Sequence, residues 1–500
     1  MTIVPRWEWR TFGPGVEVAL PYVRALEPTG VQESDETYLL ADGGGSPRST
    51  VKIRAGLMDV KQLVETDGAG LQQWVPAMKA ELPVDGPTVH HVWDMLGVPA
   101  PALAREAYTG DQLVGELAVP GSGIRAVDVH KRRVRYTING CPAEVSDVVA
   151  DGLTTRTLAI ESPDAAAVAE GVRQVGLDAY ANVAYPVGLA WLLGGAPERY
   201  AVIDCGTNSV KFHVAERAPD GTWRRIADRA VVSRLGEGQA SHGDIQDEPL
   251  DRTSEAIAGM VEEARRHGVL AVFALGTAGL RTATNRDRVL AEIADRTGVQ
   301  VRVLSEEEEA RLAYLAVKAG LGMTGGSLAV FDTGGGSTQL TFGHGDTVDE
   351  RFSVDVGAVR YTERFGLSGV VSEATLAEAL AAIAGDLARL DGRPAVDALV
   401  GMGGAVTNIT AVSHGMAVYD PDRIQGTVLD RAEIDRQIER YRTTPLEARR
   451  SITGLQPKRA EVILAGACIV RTVMDKLDMA SLTVSDRGLR HGHLVDRFGA

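Results

Sequence analysis

Two aspartates in the sequence each lie between an apolar run and a loop of small residues. Asp204 lies in the segment VIDCGTNS, and Asp332 lies in the segment VFDTGGGS. Superposing these segments also aligns Ser209 with Ser337, so the chain repeats one strand-loop-strand unit after 128 positions. Glycine weakens ordinary structure by roughly 0.5–1 kcal/mol per site relative to alanine, so three consecutive glycines need a compensating reason.

Loops of this kind can bind anions, because backbone N–H groups that no side chain covers can point into one concavity. Serine and threonine hydroxyls add donors, and a carboxylate beside a phosphate can hold Mg²⁺ or orient an attacking water. The alternative is a pair of ordinary hairpin turns, but two copies in register favour the phosphate interpretation. The predicted phosphate-binding residues of the two loops are Gly206, Thr207, Ser209, Gly334, Gly335, Gly336, Ser337 and Thr338.

The elements that position these loops follow from the pattern after residue 200, where apolar strand-like runs alternate with helical segments. This alternation is typical of an α/β domain with mainly parallel strands. The first 190 residues differ, with short strand-like runs broken by glycine and proline clusters. We predict domain boundaries from the loop-rich segment LLGGAPERY and from the repeat, which divide the chain into 1–191, 200–325 and 326–500.

Composition limits the classes of partner. The 500 residues exceed what one hydrophobic core normally serves, so two to four domains are expected. A formal net charge of −15 argues against nonspecific binding to nucleic acid or to an anionic membrane. Cys141, Cys205 and Cys468 are far apart and form no CxxC pair, which predicts neither a disulfide framework nor a zinc site. No apolar signal core and no run of about 18 apolar residues is present, so a cytoplasmic protein is expected.

The chain after residue 200 resembles the exopolyphosphatase and guanosine pentaphosphate phosphohydrolase (Ppx/GppA) family. This resemblance implies the duplicated, two-lobed actin-like (ASKHA, ribonuclease H-like) α/β fold, with lobes at 200–325 and 326–500. It also implies hydrolysis of a terminal phosphoanhydride. A homodimer is expected as well. The motifs that carry the resemblance are, in order, IDCGTNS, RLGEG, GTAGLRTATN, LSEEEEARL, FDTGGGST, VGAVRYTERF, GMGGAVTNI, RAEVILAG and VSDRGLRHG.

The family resemblance also assigns roles. Glu309, the last acid of EEEEAR, is implied as the base for the attacking water, and Arg281 as a phosphate-binding arginine that acts with it. Asp204 and Asp332 are the implied catalytic carboxylates and Mg²⁺ ligands. The remaining implied contacts with the substrate come from Asn208, Gly403, Gly404 and Arg459.

The acidic run itself has a simpler interpretation. Ser305 and Glu308 form a capping box that predicts a helix start. Acids in a first helical turn complement the helix dipole, each by about 0.3–1 kcal/mol. We therefore assign Glu306, Glu307 and Glu308 to that role and keep Glu309 as the catalytic candidate.

One position departs from the family pattern. The family continues its second loop with Ser-Thr-Glu, whereas this chain has Gln339. A glutamine keeps a hydrogen bond but lacks the charge, so the efficiency of hydrolysis is open.

The N-terminal part resembles a second family, the CYTH or triphosphate-tunnel fold, through WEWR, VKIRAGLMDVKQL, DVHKRRVRYTING and LAIESPD. This resemblance implies an α+β domain built on an antiparallel β-barrel, in which alternate residues line the bore. The family's opening ExExK appears here as Arg6, Glu8 and Arg10, and half of its acidic metal set is missing, so we predict a polyphosphate-binding barrel with impaired metal catalysis. The predicted bore residues are Arg10, Lys52, Arg54, Lys131, Arg133 and Arg135.

Two functional classes remain open at this point. The first is an Mg²⁺-dependent enzyme that releases orthophosphate from inorganic polyphosphate, from guanosine pentaphosphate, or from both. The second is a regulatory protein that binds polyphosphate or a guanosine penta- or tetraphosphate without efficient turnover, which Gln339 would permit. A sugar-kinase-like activity fits less well, because EEEEAR and VGAVRYTERF do not suit it.

Overall fold

The computed structural model describes residues 5–42, 48–194, 198–218, 220–239 and 243–499. Contacts group the chain into two compact units. Unit 1 comprises Met1–Ile203, Val214–Ala274 and Thr284–Val301, and unit 2 comprises Asp204–His213, Leu275–Ala283 and Arg302–Ala500. The three-domain division stays a prediction, and residues 195–197 at its first boundary lie outside the described residues.

The described residues among the first 194 form mainly strands, with a few short helices between them. The strands are β1 (Arg6–Phe12), β2 (Gly30–Ala41), β3 (Ser49–Arg54), β4 (Leu57–Thr66), β5 (Gln72–Glu81), β6 (Val84–Asp85), β7 (Ala107–Tyr108), β8 (Ile124–Ile138), β9 (Cys141–Ala150) and β10 (Leu153–Ser162). The helices are α1 (Pro14–Val23), α2 (Gly86–Met95), α3 (Gly110–Gln112), α4 (Ala165–Gln174) and α5 (Tyr185–Gly194), with a π-helical turn at Leu113–Leu117.

Eight of these strands close into an antiparallel barrel. Their order is β1-β10-β9-β8-β2-β3-β4-β5, and β5 pairs back with β1. Side chains of a strand alternate between the two faces, so a barrel strand should alternate between bore and exterior. Strand β8 does so at its basic centre, where Lys131 and Arg133 are buried and Arg132 between them is exposed. The predicted alternation of inward-facing and outward-facing side chains in KRRVR is therefore confirmed at residues 131–133.

Two further sheets contain the repeated units. The first consists of β11 (Glu198–Cys205), β12 (Ser209–Arg217), β13 (Trp223–Val232), β14 (Ala271–Gly276) and β15 (Val301–Val303), in the order β13-β12-β11-β14-β15. The second consists of β16 (Ser327–Thr333), β17 (Thr338–His344), β18 (Thr347–Val354), β19 (Ala398–Met402), β20 (Val428–Asp430) and β21 (Ser481–Val484), in the order β18-β17-β16-β19-β21-β20. Both sheets place a three-strand meander first and then a crossover strand, so the duplication predicted from the two loops extends to the topology.

Helices separate the strands of these sheets. They are α6 (Asp247–Arg266), α7 (Ala278–Thr282), α8 (Arg286–Thr297), α9 (Glu306–Leu321), α10 (Ala358–Phe365), α11 (Glu373–Asp386), α12 (Gly403–Ser413), α13 (Pro421–Ile424), α14 (Arg431–Thr443), α15 (Leu446–Arg449), α16 (Ile463–Lys476) and α17 (Leu489–Phe498), with 3-10 turns at Ala388–Leu390 and Pro457–Arg459. The main core of unit 2 packs α12 and α16 against the second sheet, with Phe331, Ile409 and Ile469 fully buried. None of the described helices is both long and apolar enough to cross a bilayer.

Candidate functional site

The two repeated loops close with the same hydrogen bond. The amide of Gly206 donates to the carbonyl of Ser209 over 3.1 Å, and the amide of Gly334 donates to the carbonyl of Ser337 over 2.9 Å. These residues occupy equivalent positions of the repeat. A Cβ atom on Gly206 would lie 2.9 Å from the Ser209 carbonyl oxygen, so the first turn requires glycine for close approach. Both loops belong to unit 2.

Asp204 is the second-last residue of β11, and its side chain is buried. Its Oδ2 atom lies 3.6 Å from Nζ of Lys211, whereas Oδ1 is buried and has no hydrogen-bond partner among the described residues. A buried carboxylate oxygen without a partner is costly, because it has lost water and gained nothing in exchange. This oxygen therefore requires a cation or an ordered water.

Asp332 occupies the equivalent position in the second loop. Its side chain is open to solvent, yet the surrounding protein raises the pKa of the carboxyl, and the charges of Lys211 and Arg459 partly oppose this rise. Oδ1 of Asp332 lies against Gly403, whose φ of +83° is the left-handed conformation that favours glycine. A side chain at 403 would collide with the Asp332 carboxylate.

The residues that face the two aspartates differ. In the second loop, Gln339 lies directly opposite Asp332 on the neighbouring strand, and its Nε2 atom donates to Oγ of Ser337 over 2.9 Å. Lys211 holds the equivalent position in the first loop and faces Asp204. The structure therefore places the Lys211 ammonium on the side of the Asp204 carboxylate.

Glu309 lies in the first turn of α9. Ser305 caps this helix, since its Oγ accepts from the amide of Glu308 and the Glu308 carboxylate accepts from the amide of Ser305, which confirms the predicted capping box. Oε2 of Glu309 accepts a hydrogen bond of 3.1 Å from Nη1 of Arg281. Burial raises the pKa of Glu309, Arg281 opposes this rise, and the charge of Asp204 reinforces it.

Arg281 lies in α7 and reaches the start of α9. The same Nη1 atom donates to the carbonyl of Leu304 over 2.9 Å, and Nη2 lies 3.7 Å from Oε1 of Glu306. The other carboxylate oxygen of Glu306 pairs with Arg351. Glu306 therefore contacts two arginines, in addition to its predicted role of complementing the helix dipole. The local sequence gave no sign of the contact with Arg351.

A third loop carries Gly403 and Gly404 into the start of α12. The Arg459 guanidinium lies over Gly404, where an added Cβ would come within 2.8 Å of Cζ. Asn408 fixes this arrangement, because its Nδ2 donates to the carbonyl of Gly404 and its Oδ1 accepts from the amide of Gln456, both over 2.9 Å. The turn that carries Arg459 is thereby tied to the glycine loop by a residue that sequence reasoning did not single out.

The motif VGAVRYTERF holds the second loop in place. The first amides of α10 donate to loop carbonyls, with Ala358 on Gly334 and Val359 on Gly335, both over 2.9 Å. The structure does not direct Thr338 toward this concavity, because its buried hydroxyl donates to the carbonyl of Val356 over 2.6 Å. The other predicted loop residues, including Thr207, Asn208 and Gly336, are at least partly exposed at the loop tips.

The carboxylates of the two repeated loops have the donor chemistry that fits a hard divalent cation. Mg²⁺ is held in proteins by one or two carboxylates together with substrate phosphates and water. Asp204 and Asp332 are the residues of the group that could hold it, and the unpartnered buried oxygen of Asp204 is the observation that supports the fit. Glu309 is paired with Arg281, so we do not count it among the candidate metal ligands.

Unit 1 contains a second candidate site in the bore of the barrel. A cavity of about 650 Å³ lies there, and Tyr38, Trp74 and Tyr185 form part of its wall. The six basic residues predicted for the bore all line it: Arg10, Lys52, Arg54, Lys131, Arg133 and Arg135. Their placement on the inner face agrees with the prediction, while their role as phosphate ligands stays a prediction.

Comparison with known proteins bears on residues after the barrel. The model of the Ppx/GppA phosphatase family matches residues 214–499. Exopolyphosphatase 2 of Mycobacterium tuberculosis is 29% identical over 314 residues, which cover 59% of this chain and 97% of that protein. The guanosine-5'-triphosphate,3'-diphosphate pyrophosphatase of Photobacterium profundum is 29% identical over 303 residues, 59% of each protein.

Solved structures give the same result. The crystal structure of the type II variant of the Aquifex aeolicus Ppx/GppA phosphatase superposes with a TM-score of 0.56 and 31% sequence identity. The match covers 60% of this chain and 99% of the Aquifex chain. An exopolyphosphatase from Cytophaga hutchinsonii superposes with a TM-score of 0.52 at 22% identity, which is a likeness of fold.

Proposed function

This chain belongs to the Ppx/GppA phosphatase family and is a phosphoanhydride hydrolase; we propose that it releases the terminal orthophosphate of inorganic polyphosphate, of guanosine pentaphosphate, or of both. The observation that carries the proposal is the Glu309–Arg281 pair, which lies in the same unit as two equivalent phosphate-type loops. The model of the family matches residues 214–499, which include both members of this pair.

The proposed reaction is in-line transfer of the terminal phosphoryl group to water, which depends mainly on positioning and on neutralising charge. Exposed amides of the loops after Asp204 and Asp332 bind the phosphate oxygens. Asp204 and Asp332 would hold Mg²⁺, which would supply positive charge to the phosphate chain when bound. Water forms the new P–O bond, the bridging P–O bond breaks, and the shortened chain leaves with the electron pair.

Glu309 is the proposed acceptor of the water proton at Oε2. A general base is most effective when its pKa lies near the working pH, and burial moves the pKa of Glu309 upward in that direction. Arg281 opposes this rise and so favours the ionised carboxylate. We propose that Arg281 also binds an oxygen of the transferred phosphoryl group, since a guanidinium can serve two acceptors at once.

Substrate choice tests the proposal. Phosphate release is measured against long polyphosphate, guanosine pentaphosphate and ATP at equal concentrations. We expect release from one or both of the first two to exceed release from ATP by at least about 10-fold. Preference for ATP would contradict the proposal, and tight binding of polyphosphate without any release would favour the regulatory alternative that Gln339 permits.

For unit 1 we propose a CYTH-like barrel that binds polyphosphate. The closed eight-stranded barrel and the cationic side chains on its inner face support this assignment. A bound segment of polyphosphate raises the effective concentration of its chain end at the hydrolytic residues. A cytoplasmic location is proposed from the three free cysteines, and the homodimer stays a prediction.

A further inference from the structure

Every carboxylate that lines the described part of the bore already has a cationic partner within the chain. Arg6 pairs with Glu161 over 2.7 Å. Arg54 pairs with Asp59 over 3.2 Å. The two other lining acids, Glu8 and Glu144, share the guanidinium of Arg10. Carboxylates engaged in this way are not the open oxygen ligands that a divalent cation requires.

Arg10 occupies the space between two acids that a bridging cation would need. Its Nε donates to Oε1 of Glu8 over 2.9 Å, and its Nη2 donates to Oε1 of Glu144 over 3.4 Å. Nη1 donates to the hydroxyl of Thr157 over 3.3 Å, and the guanidinium lies 5.0 Å from the ring centroid of Tyr185. The side chain is buried, so Arg10 is a fixed charge rather than a mobile surface arginine. The metal set implied by the CYTH resemblance does not fit these residues.

The opposite wall of the bore has an excess of positive charge. Glu36 is fully buried and contacts Lys131 at 3.0 Å and Arg133 at 2.5 Å. Lys52 and Arg54 each lie 3.5 Å from the same carboxylate. The Glu36 carboxylate therefore lies near four cations, of which, among the described residues, only Arg54 and Arg133 also have a second acid within 4.0 Å, namely Asp59 and Glu144. Over the whole cavity, eight lysines and arginines line the wall against four acids, in a chain whose net charge is −15.

The chemistry of Lys131 is consistent with a missing anion. Burial lowers the pKa of this ammonium to about 7, although Glu36 opposes the shift, and repulsion from Arg133 and Lys52 adds to it. A phosphate chain in the bore would supply the absent negative charge. Guanidinium groups suit this ligand because they bind phosphate oxygens in a bidentate fork.

We propose that the bore of the barrel binds a linear phosphate chain without any divalent cation, with the cations around Glu36 and the fixed guanidinium of Arg10 in the place of metal. This inference rests on the proposed binding of polyphosphate by unit 1. It goes further because it assigns a different metal requirement to each unit. Hydrolysis in unit 2 would depend on Mg²⁺, whereas binding of the phosphate chain in the bore would not.

The test measures binding of sodium tripolyphosphate to the full chain by calorimetry, once in EDTA and once in Mg²⁺. The chain carries Glu309→Gln so that the ligand is not consumed. Arg133→Gln removes a bore cation, and Arg54→Gln removes a more exposed one in case the loss of Arg133 beside buried Glu36 impairs folding. Arg132→Gln is the matched control, because Arg132 is adjacent to Arg133 in β8 but its side chain is exposed on the outer face of the barrel.

We expect tripolyphosphate to bind in EDTA no more weakly than in Mg²⁺. Arg133→Gln and Arg54→Gln should each weaken this binding about 10-fold, as expected for a charged hydrogen-bond donor, and Arg132→Gln should not. Binding that depends on Arg133 but disappears in EDTA would overturn the metal-free inference alone. Equal affinity in all three variants would overturn the binding function of the barrel, and Mg²⁺-dependent phosphate release by the chain with Glu309 intact would still stand as a separate result.

Discussion

The carboxylates of the barrel bore and those of the unit 2 loops differ in how fully they are paired with cations. In the barrel, each lining acid is neutralised by an arginine or lysine, as Glu8 and Glu144 are by Arg10. In unit 2, one oxygen of Asp204 is buried without a hydrogen-bond partner among the described residues, the other lies 3.6 Å from Nζ of Lys211, and Asp332 is exposed. Fixed cations hold a phosphate chain but activate nothing, whereas open carboxylates can recruit a metal. This difference supports the proposal that the barrel binds the substrate and that unit 2 cleaves it.

A second contrast lies in what supplies the positive charge. In the bore, the positive charge comes from side chains, so the proposed anion binding would depend on particular lysines and arginines. In the repeated loops of unit 2, the proposed donors are backbone N–H groups, which substitution of a side chain cannot remove. We therefore expect bore variants to alter affinity, and unit 2 variants to alter chemistry or loop geometry.

The largest effect is expected for Glu309→Gln. Loss of a positioned base should lower turnover by roughly 10²–10⁴ while substrate binding is preserved. Steady-state phosphate release and equilibrium binding measure the two quantities. Glu307→Gln is the control, because Glu307 is an exposed acid of the same helical turn. Near-normal turnover in the Glu309 variant would place the base elsewhere.

Arg281→Gln should lower turnover by about 10² or more, since a donor to the developing phosphoryl charge is lost. It should also move the acid limb of the pH–rate profile to higher pH. Arg281 lowers the pKa of Glu309, so its removal allows that pKa to rise and the base form to be lost at a higher pH. A slower enzyme with an unshifted acid limb would show that Glu309 is not the titrating group. Arg286→Gln, an exposed arginine with a partner outside the site, is the control.

Gly403→Ala tests the contact between the third loop and Asp332. Both the left-handed backbone and the collision with the Asp332 carboxylate oppose this change. Gly415→Ala is the control, since Gly415 also has a positive φ of +59° but open space around a Cβ. We expect Gly415→Ala to lose about 1 kcal/mol of unfolding free energy from the backbone strain, Gly403→Ala to lose more because of the added collision, and only Gly403→Ala to lose activity substantially. Equal activity in the two variants would show that the Asp332 position tolerates displacement.

The smallest effect is expected for Gln339→Glu. Gln339 lies directly opposite Asp332, so a carboxylate there adds negative charge beside a proposed Mg²⁺ ligand. The Mg²⁺ concentration that gives half-maximal phosphate release should fall a few-fold, as expected for one added hard oxygen ligand. An Mg²⁺ titration that matches the unchanged enzyme would place this side chain away from the ion.

Local pattern explains how much of this structure the sequence could predict. The repeat of VIDCGTNS and VFDTGGGS predicted two equivalent loops, because a tight turn between strands is encoded within a few residues. The capping box at Ser305 and the alternation of Lys131 and Arg133 were predictable for the same reason. Each depends on a short stretch whose spacing matches a helical turn or a strand.

Contacts between distant segments could not be predicted in this way. Asn408 ties Gly404 to the turn before Arg459 through the amide of Gln456, 48 positions away in the chain. Arg351 reaches Glu306 from a strand whose own pattern gives no sign of it. Thr338 aligned with a hydroxyl-rich loop, but strand pairing directs its hydroxyl to the carbonyl of Val356. Such contacts arise only when the sheet order is fixed.

The division of labour between the two regions is tested most directly by the ratio of kcat/KM for long polyphosphate to kcat/KM for a short chain. A substrate that spans both regions benefits from the barrel, whereas a short chain bound only by unit 2 does not. Arg133→Gln should lower this ratio about 10-fold by raising KM for the long chain, with kcat unchanged, and Arg132→Gln should leave the ratio as it is. A ratio that Arg133→Gln leaves unaltered, or a loss that is equal for both chain lengths, would contradict the separation of binding in the bore from hydrolysis in unit 2.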